Sequence, residues 1–161
     1  MPEPILVATD DSASARQAVE HAVQLAQASG SPLRIVAVWA LPAAISAFEP
    51  LTELTQLEER ERGRAQAAVR SAADRARSSG VPTSTAVRAG EVLEAICTEA
   101  EACGARLLVV GAHGSSGAHG SAIGSVALDL LAHAPCAVIV VRGDRLIEEP
   151  AAGPKLARSA G

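Results

Sequence analysis

The chain has 161 residues, 48% of them hydrophobic, with one Phe, one Trp, no Tyr and a formal net charge of −4 at neutral pH. That length supports one domain with a real core, and a core so poor in aromatics must be packed from Val, Leu, Ile and Ala, which suits helices layered on a sheet. The acidic balance and the missing aromatic platforms argue against a nucleic-acid partner, which needs clustered cations and stacking surfaces.

The opening Met1-Pro2-Glu3-Pro4 lacks the basic start of a secretory leader, so the expected location is the cytoplasm. Ile5-Leu6-Val7-Ala8-Thr9 is a continuous apolar run, the mark of a strand covered on both faces, and it stops at Asp10-Asp11-Ser12. Ser14 with Gln17 reads as a capping box for the helix that follows. Ala15, Ala18, Val19, Ala22, Val23 and Ala26 recur at helical spacing, and Gly30 with Pro32 closes the element. Leu33 to Trp39 is a second buried strand. Leu41 to Pro50 is irregular, with Pro42 and Pro50 as breakers.

Leu51 to Ser79 is a long helical stretch ended by Gly80-Val81-Pro82, and its run Glu58-Glu59-Arg60-Glu61-Arg62 reads as a solvated face with local ion pairs. Thr83 to Arg88 fits a third strand near a sheet edge. A helix starts at Gly90 with Val92, Leu93, Ile96, Ala100 and Cys103 inward, and stops at Gly104. Leu107 to Val110 is the fourth strand. A loop from Gly111 to Ser121 follows, then a short helix from Ser125 to His133 and a fifth strand from Cys136 to Val141. Residues 143–161 are rich in Pro, Gly and Ala, without periodicity, and read as a mobile tail beyond a domain at 1–142.

Strands separated by helices require right-handed crossovers, hence one parallel sheet with helices on both faces. Ligands of such sheets bind at the carboxyl ends of strands where the strand order reverses, which directs attention to the loops after the first and fourth strands. The uncharged stretch Leu107 to Leu128 is interrupted by five glycines and two histidines, so no membrane span is expected. Cys97, Cys103 and Cys136 are an odd, scattered set, with Cys97 and Cys103 on different helix faces. They read as small buried apolar groups in a reducing compartment, not as a disulfide or metal site.

The fourth-strand loop carries the chemistry. Gly111, Gly114, Gly117, Gly120 and Gly124 recur between a buried strand and a helix, where glycine admits positive φ and lets a ligand reach the amides. Successive N–H groups then form an anion-binding concavity, to which the helix start near Gly124 adds its dipole and Ser125 a hydroxyl. A P-loop requires a lysine, and the sole lysine is Lys155 in the tail; the dinucleotide fingerprint is absent after the first strand. The grip must come from main chain and hydroxyls, which suits binding better than rapid phosphoryl transfer. His113 and His119 have no third ligand in view, so they read as exposed or phosphate-adjacent groups and not as metal ligands. His21 and His133 read as surface residues. Ser115, Ser116 and Ser121 are candidate phosphate donors or phosphorylation sites.

Gly111-x2-Gly114-x9-Gly124-Ser125 is similar to the nucleotide-binding pattern of the ATP-binding branch of the universal stress protein family. The resemblance covers Ile5 to Ser12, Gly90 to Ile96, Leu107 to Gly114 and Ala134 to Arg142, and so most of the chain to residue 142. It implies a three-layer α/β sandwich of the adenine nucleotide alpha hydrolase-like kind, with five parallel strands in the order 3-2-1-4-5. It also implies a homodimer paired along the fifth strand, whose Val- and Ile-rich edge invites a second copy. ATP, with or without Mg2+, is expected between the ends of the first and fourth strands. By matched position Ala8, Thr9, Asp10 and Val38 surround adenine and ribose, Val110, Gly111, His113 and Gly114 line the loop, and Gly124, Ser125 and Val126 meet the phosphates. Arg106 and Ala137 depart from the family's common acidic residue and proline, both outside the glycine motif. The implied role is regulatory or stress-related; a slow ATPase or autokinase at the same site, and a structural dimer without nucleotide, are the competing readings.

Overall fold

Alternate residues of the inner strands point to opposite sides of one sheet, and each side has its own pair of helices. The computed structural model describes residues 2–41, 50–115, 123–143 and 145–147. In chain order the elements are β1 (Ile5–Ala8), α1 (Ala13–Ser29), β2 (Leu33–Trp39), α2 (Leu51–Ser78), β3 (Thr83–Ala89), α3 (Val92–Cys103), β4 (Leu107–Gly111), α4 (Ser125–His133), β5 (Ala137–Arg142) and β6 (Arg145–Ile147). The sheet order is β3-β2-β1-β4-β5-β6. The first five strands are parallel, in the expected 3-2-1-4-5 order of an α/β sandwich. The chain builds outward from β1 through β2 to β3, then returns to the other side of β1 for β4, so the order reverses between β1 and β4.

Ile5, Val7, Leu33, Ile35, Ala37, Val109 and Val141 pack against α1 and α2. Leu6, Val36, Leu108, Val110 and Val140 pack against α3 and α4, through Ile96, Ala100, Ala127 and Leu130. The first layer is alanine-rich on its helix side: Ala15, Ala18, Ala22 and Ala26 of α1, and Ala65, Ala68, Ala72, Ala73 and Ala76 of α2, are buried. Small helix residues under branched strand residues fill the layer without aromatics, as the composition requires. Among the described residues, no helix is long and apolar enough to cross a membrane.

The helix ends differ from expectation in two places. The N-cap of α1 is Ser12, whose side chain accepts the Ala15 N–H at 3.3 Å, and not Ser14. Gly90 precedes α3 at φ 123°, and Glu91 is the cap, its carboxylate accepting the Glu94 N–H at 2.8 Å. The thiols of Cys97, Cys103 and Cys136 are free and half-buried, not fully buried, and burial pushes each thiol's pKa up.

Two features were not anticipated. Arg145–Ile147 forms β6, which returns antiparallel along Val140–Arg142 of β5. Its connection is two residues long and begins with Gly143 at φ 57°, the left-handed conformation of tight hairpin turns. The outer edge of β5, expected to be free throughout, therefore carries β6 over its last three residues. The other feature is Glu99 of α3, 2% exposed beneath the sheet. Arg34 Nε donates to its Oε1 at 2.7 Å, and Arg88 Nε and Nη2 donate to Oε2 at 2.8 and 2.7 Å. A lone buried carboxylate costs several kcal/mol, and two guanidiniums with well-aligned hydrogen bonds offset that cost. The triad ties α3 to both β2 and β3.

Candidate functional site

Where the order reverses, the carboxyl ends of β1 and β4 diverge and a cleft of about 380 Å3 opens, within the range of small-ligand sites. One end is apolar, formed by Val36 and Val38 of β2, Val92 and Ile96 of α3, and Leu130 of α4. The other end is polar and made of three segments: Thr9 and Asp10 after β1, Gly111 at the end of β4 with the loop that follows it to Ser115, and Gly124 with Ser125 at the start of α4. All eleven residues singled out from the sequence face this one cleft: Ala8, Thr9, Asp10, Val38, Val110, Gly111, His113, Gly114, Gly124, Ser125 and Val126. Ser115 joins them. Ser116, His119 and Ser121 lie outside the described residues.

The glycines of the loop have separate reasons. A Cβ on Gly111 would lie 2.6 Å from Ser14 Oγ, 2.8 Å from the Ser14 carbonyl carbon and 2.9 Å from Ala15 N. The first turn of α1 thus lies directly against the end of β4, and Gly111 is needed there for packing against protein, not for ligand access. Ser14, displaced from the capping role, uses its hydroxyl to bridge: it accepts the His113 N–H at 3.3 Å and lies 3.4 Å from the Val141 carbonyl. Ala112, fully buried, donates to the Val141 carbonyl at 2.8 Å and accepts the Gly124 N–H at 2.7 Å. Sequence reasoning missed both residues; a serine within the first helical turn facing a strand-end glycine was the available signal for Ser14.

Asp10 works as a clasp. Its Oδ1 accepts the Ser12 N–H at 3.0 Å and its Oδ2 the Ser115 N–H at 2.6 Å, so one carboxylate holds its own turn and the glycine loop together. A Cβ on Gly114 would stand 3.0 Å from Oδ2, which explains that glycine. Neighbouring Asp11 sits at φ 61° and takes a two-pronged grip from Arg16, Nε to Oδ1 at 3.0 Å and Nη2 to Oδ2 at 3.1 Å. That guanidinium holds the Asp11 carboxyl below the usual carboxylate range. Arg16 is thereby engaged away from the cleft, and the described lining contains no Lys or Arg.

The start of α4 completes the polar end. Ser12 and Glu91 cap α1 and α3 with side chains, but Gly124 precedes α4 and offers none. The first N–H groups of a helix have no partner within it. At α4 they face the cleft beside the Ser125 hydroxyl, with the positive end of the helix dipole behind them. The arrangement can hold a molecule with an apolar, flat portion at one end and an anionic group at the other.

Residues 1–142 match the family model of the universal stress protein family. The universal stress protein UspA of Lactobacillus plantarum is 30% identical over 87% of this chain and 97% of its own, with a TM-score of 0.76. A universal stress protein in complex with cAMP is 29% identical over 86% of this chain and 96% of its own, with a TM-score of 0.65. The fold is also that of a universal stress protein from Archaeoglobus fulgidus in complex with dAMP, which is 22% identical over 87% of this chain and 98% of its own, with a TM-score of 0.58. No curated protein sequence is significantly similar to the chain.

The packing at Gly111 makes a stability prediction. Gly111→Ala should cost about 3 kcal/mol, because its methyl group meets backbone atoms that cannot move without shifting α1. That lowers the melting temperature by roughly 5–10 °C for a chain of this size. Gly30→Ala, in open space but at φ 66°, should cost only about 1 kcal/mol. Thermal unfolding of both variants measures the difference; equal losses would show that the contact between α1 and β4 is not tight.

Proposed function

The chain belongs to the universal stress protein family, and from that membership and the shape of its cleft we propose that it binds an adenine nucleotide, ATP above all, as a regulatory or stress-response protein. The observation that carries this is the uncapped start of α4 facing the Gly114 turn across the polar end of the cleft. Amides left without a side-chain acceptor at a helix start are matched by phosphate oxygens. Adenine and ribose then occupy the apolar end, against Ala8, Val38, Val110 and Ile96, with the remaining lone pairs of Asp10 available to a ribose hydroxyl or the adenine amino group. Gly124, Ser125 and Val126 meet the phosphates, with or without Mg2+. The cAMP and dAMP held by the two relatives named above support the nucleotide class.

The site is suited to holding a nucleotide, not to turning it over. Transfer of a phosphoryl group relies on fixed cations at the transition state, and the described lining has no Lys or Arg. Three free thiols suit a reducing compartment, and the cytoplasm is the location this reading assigns.

A homodimer is part of the same reading. The Ala137–Ile139 portion of the outer β5 edge is left uncovered by β6, and beside it α4 exposes Leu128 at 52% and Leu131 at 39%. An open strand edge next to exposed leucines is the kind of surface that a second copy covers.

Calorimetric titration with ATP, with and without magnesium, tests the central assignment. Wild type should bind, and Gly114→Val, which forces a branched side chain against the Asp10 carboxylate, should weaken binding by tenfold or more. Absence of binding to the folded wild type would refute the assignment, and steady phosphate release lost in the same variant would reassign the site to a slow ATPase. Light scattering at micromolar concentration should give a dimer for wild type and a monomer for a Leu128→Lys, Leu131→Lys double variant. A monomeric wild type would remove the dimer.

A further inference from the structure

Glu99 is a buried carboxylate that the nucleotide reading leaves without a task. Val92, Ile96 and Glu99 are spaced four and three residues apart on α3 and so share one helix face. The first two line the apolar end of the cleft, and Glu99 follows one turn further along the helix, almost fully buried. The sheet repeats the pattern. Arg34, Val36 and Val38 alternate onto the face of β2 that α3 covers, and β3 sets Arg88 directly beside Val38. Val36 and Val38 line the cleft, while Arg34 Nε and Arg88 Nε reach the Glu99 carboxylate at 2.7 and 2.8 Å.

The apolar end is thus a slot between two pairs of branched side chains, one pair on β2 and one on α3. The ionic triad bridges the same two layers next to it. None of its three members is among the described residues that line the cleft, so it acts on a ligand through Val92 and Ile96. A buried triad does not by itself favour folding: apolar side chains of similar volume are often as stabilising or more so, because charges lose their hydration. What the ions add is direction. Hydrogen bonds between charged groups fix distance and angle, whereas apolar contacts let one layer slide over the other.

Resting on the nucleotide reading above, we propose that Glu99, held by Arg34 and Arg88, is the positioning residue of the base slot. It sets the height and tilt of α3 at which Val92 and Ile96 close on a flat ring over Val36 and Val38. The phosphate end is built on other elements, the start of α4 and the loops after β1 and β4. The triad therefore governs the share of affinity that comes from the base, and its presence answers to fit at the slot and not to the stability of the fold.

The test combines thermal unfolding with calorimetric titration by ATP and by AMP. The proteins are wild type, Arg88→Met, and a triple variant carrying Arg34→Met, Arg88→Met and Glu99→Leu. The triple variant should melt as high as wild type or higher, yet bind ATP about tenfold more weakly, the low end of what one misfitting methylene costs in an apolar pocket. AMP should weaken by the same factor, because the added phosphates meet α4 and not α3. Arg88 is half-exposed on an edge strand, so Arg88→Met folds even where the triple variant does not. It should weaken both nucleotides in the same ratio, by less than the triple change. A role in stability alone predicts instead that affinity follows the melting temperature. A folded variant that binds ATP as tightly as wild type overturns the proposal while nucleotide binding stands, and so does a loss that falls on ATP and spares AMP. If folded wild type binds neither nucleotide, the nucleotide reading fails and the proposal with it.

Discussion

The cleft depends on a contact that leaves no room for a methyl group. α1 starts so close to the end of β4 that a side chain at Gly111 would overlap Ser14 and Ala15. This brings the loop after β1 and the loop after β4 side by side, and it is the reason two short hydrogen-bonding groups can join them. The Ser14 hydroxyl reaches the main chain after β4, and the Asp10 carboxylate reaches Ser115. Move α1 outward by the width of a methyl and the Ser14 link lengthens beyond hydrogen-bond range. The apolar end of the cleft has a separate anchor in the Glu99 triad, which fixes α3, and with it Val92 and Ile96, against β2 and β3.

A site gripped by main chain differs in kind from one gripped by lysine. Amides are placed by backbone geometry, so their contribution rests on loop conformation and on the glycines that permit it. Ser14 and Asp10 also engage two of the loop's own donors within the protein, the N–H groups of His113 and Ser115 respectively. What faces outward is correspondingly the start of α4. A binding site of this type holds its ligand with modest charge, which fits a chain whose overall balance is acidic.

Much of this architecture is legible in residues alone. The apolar runs at Leu33–Trp39, interrupted only by Arg34, and at Leu107–Val110 gave buried parallel strands because both faces of the sheet are covered, and Gly30 and Gly104 marked helix ends because each adopts the left-handed conformation there. The glycine spacing after β4 led to residues that share one cleft. Other features were hidden because they depend on tertiary contact. Glu99 falls by spacing on the inward face with Val92, Ile96 and Cys103, but a carboxylate is expected in solvent, and its burial makes sense only once Arg34 and Arg88 are brought to it from different strands. Ser14 read as a cap because capping is local; the close approach of β4 recruited its hydroxyl, and Ser12 capped instead. β6 is three residues long and has no periodicity of its own. Its one local sign was Gly143-Asp144 between Arg142 and Arg145, a two-residue hairpin connection.

The central claim is that uncapped main-chain amides at the start of α4, with the Gly114 turn opposite, receive phosphate while the apolar end receives the base. Amide chemical shifts followed by two-dimensional NMR during parallel titrations with ATP and adenosine test it most directly. The account predicts that both ligands shift Val38, Val92 and Ile96, and that ATP alone moves the amide protons of Gly114, Ser125 and Val126. Loop and α4 amides that stay still with ATP, or that respond identically to adenosine, would contradict it.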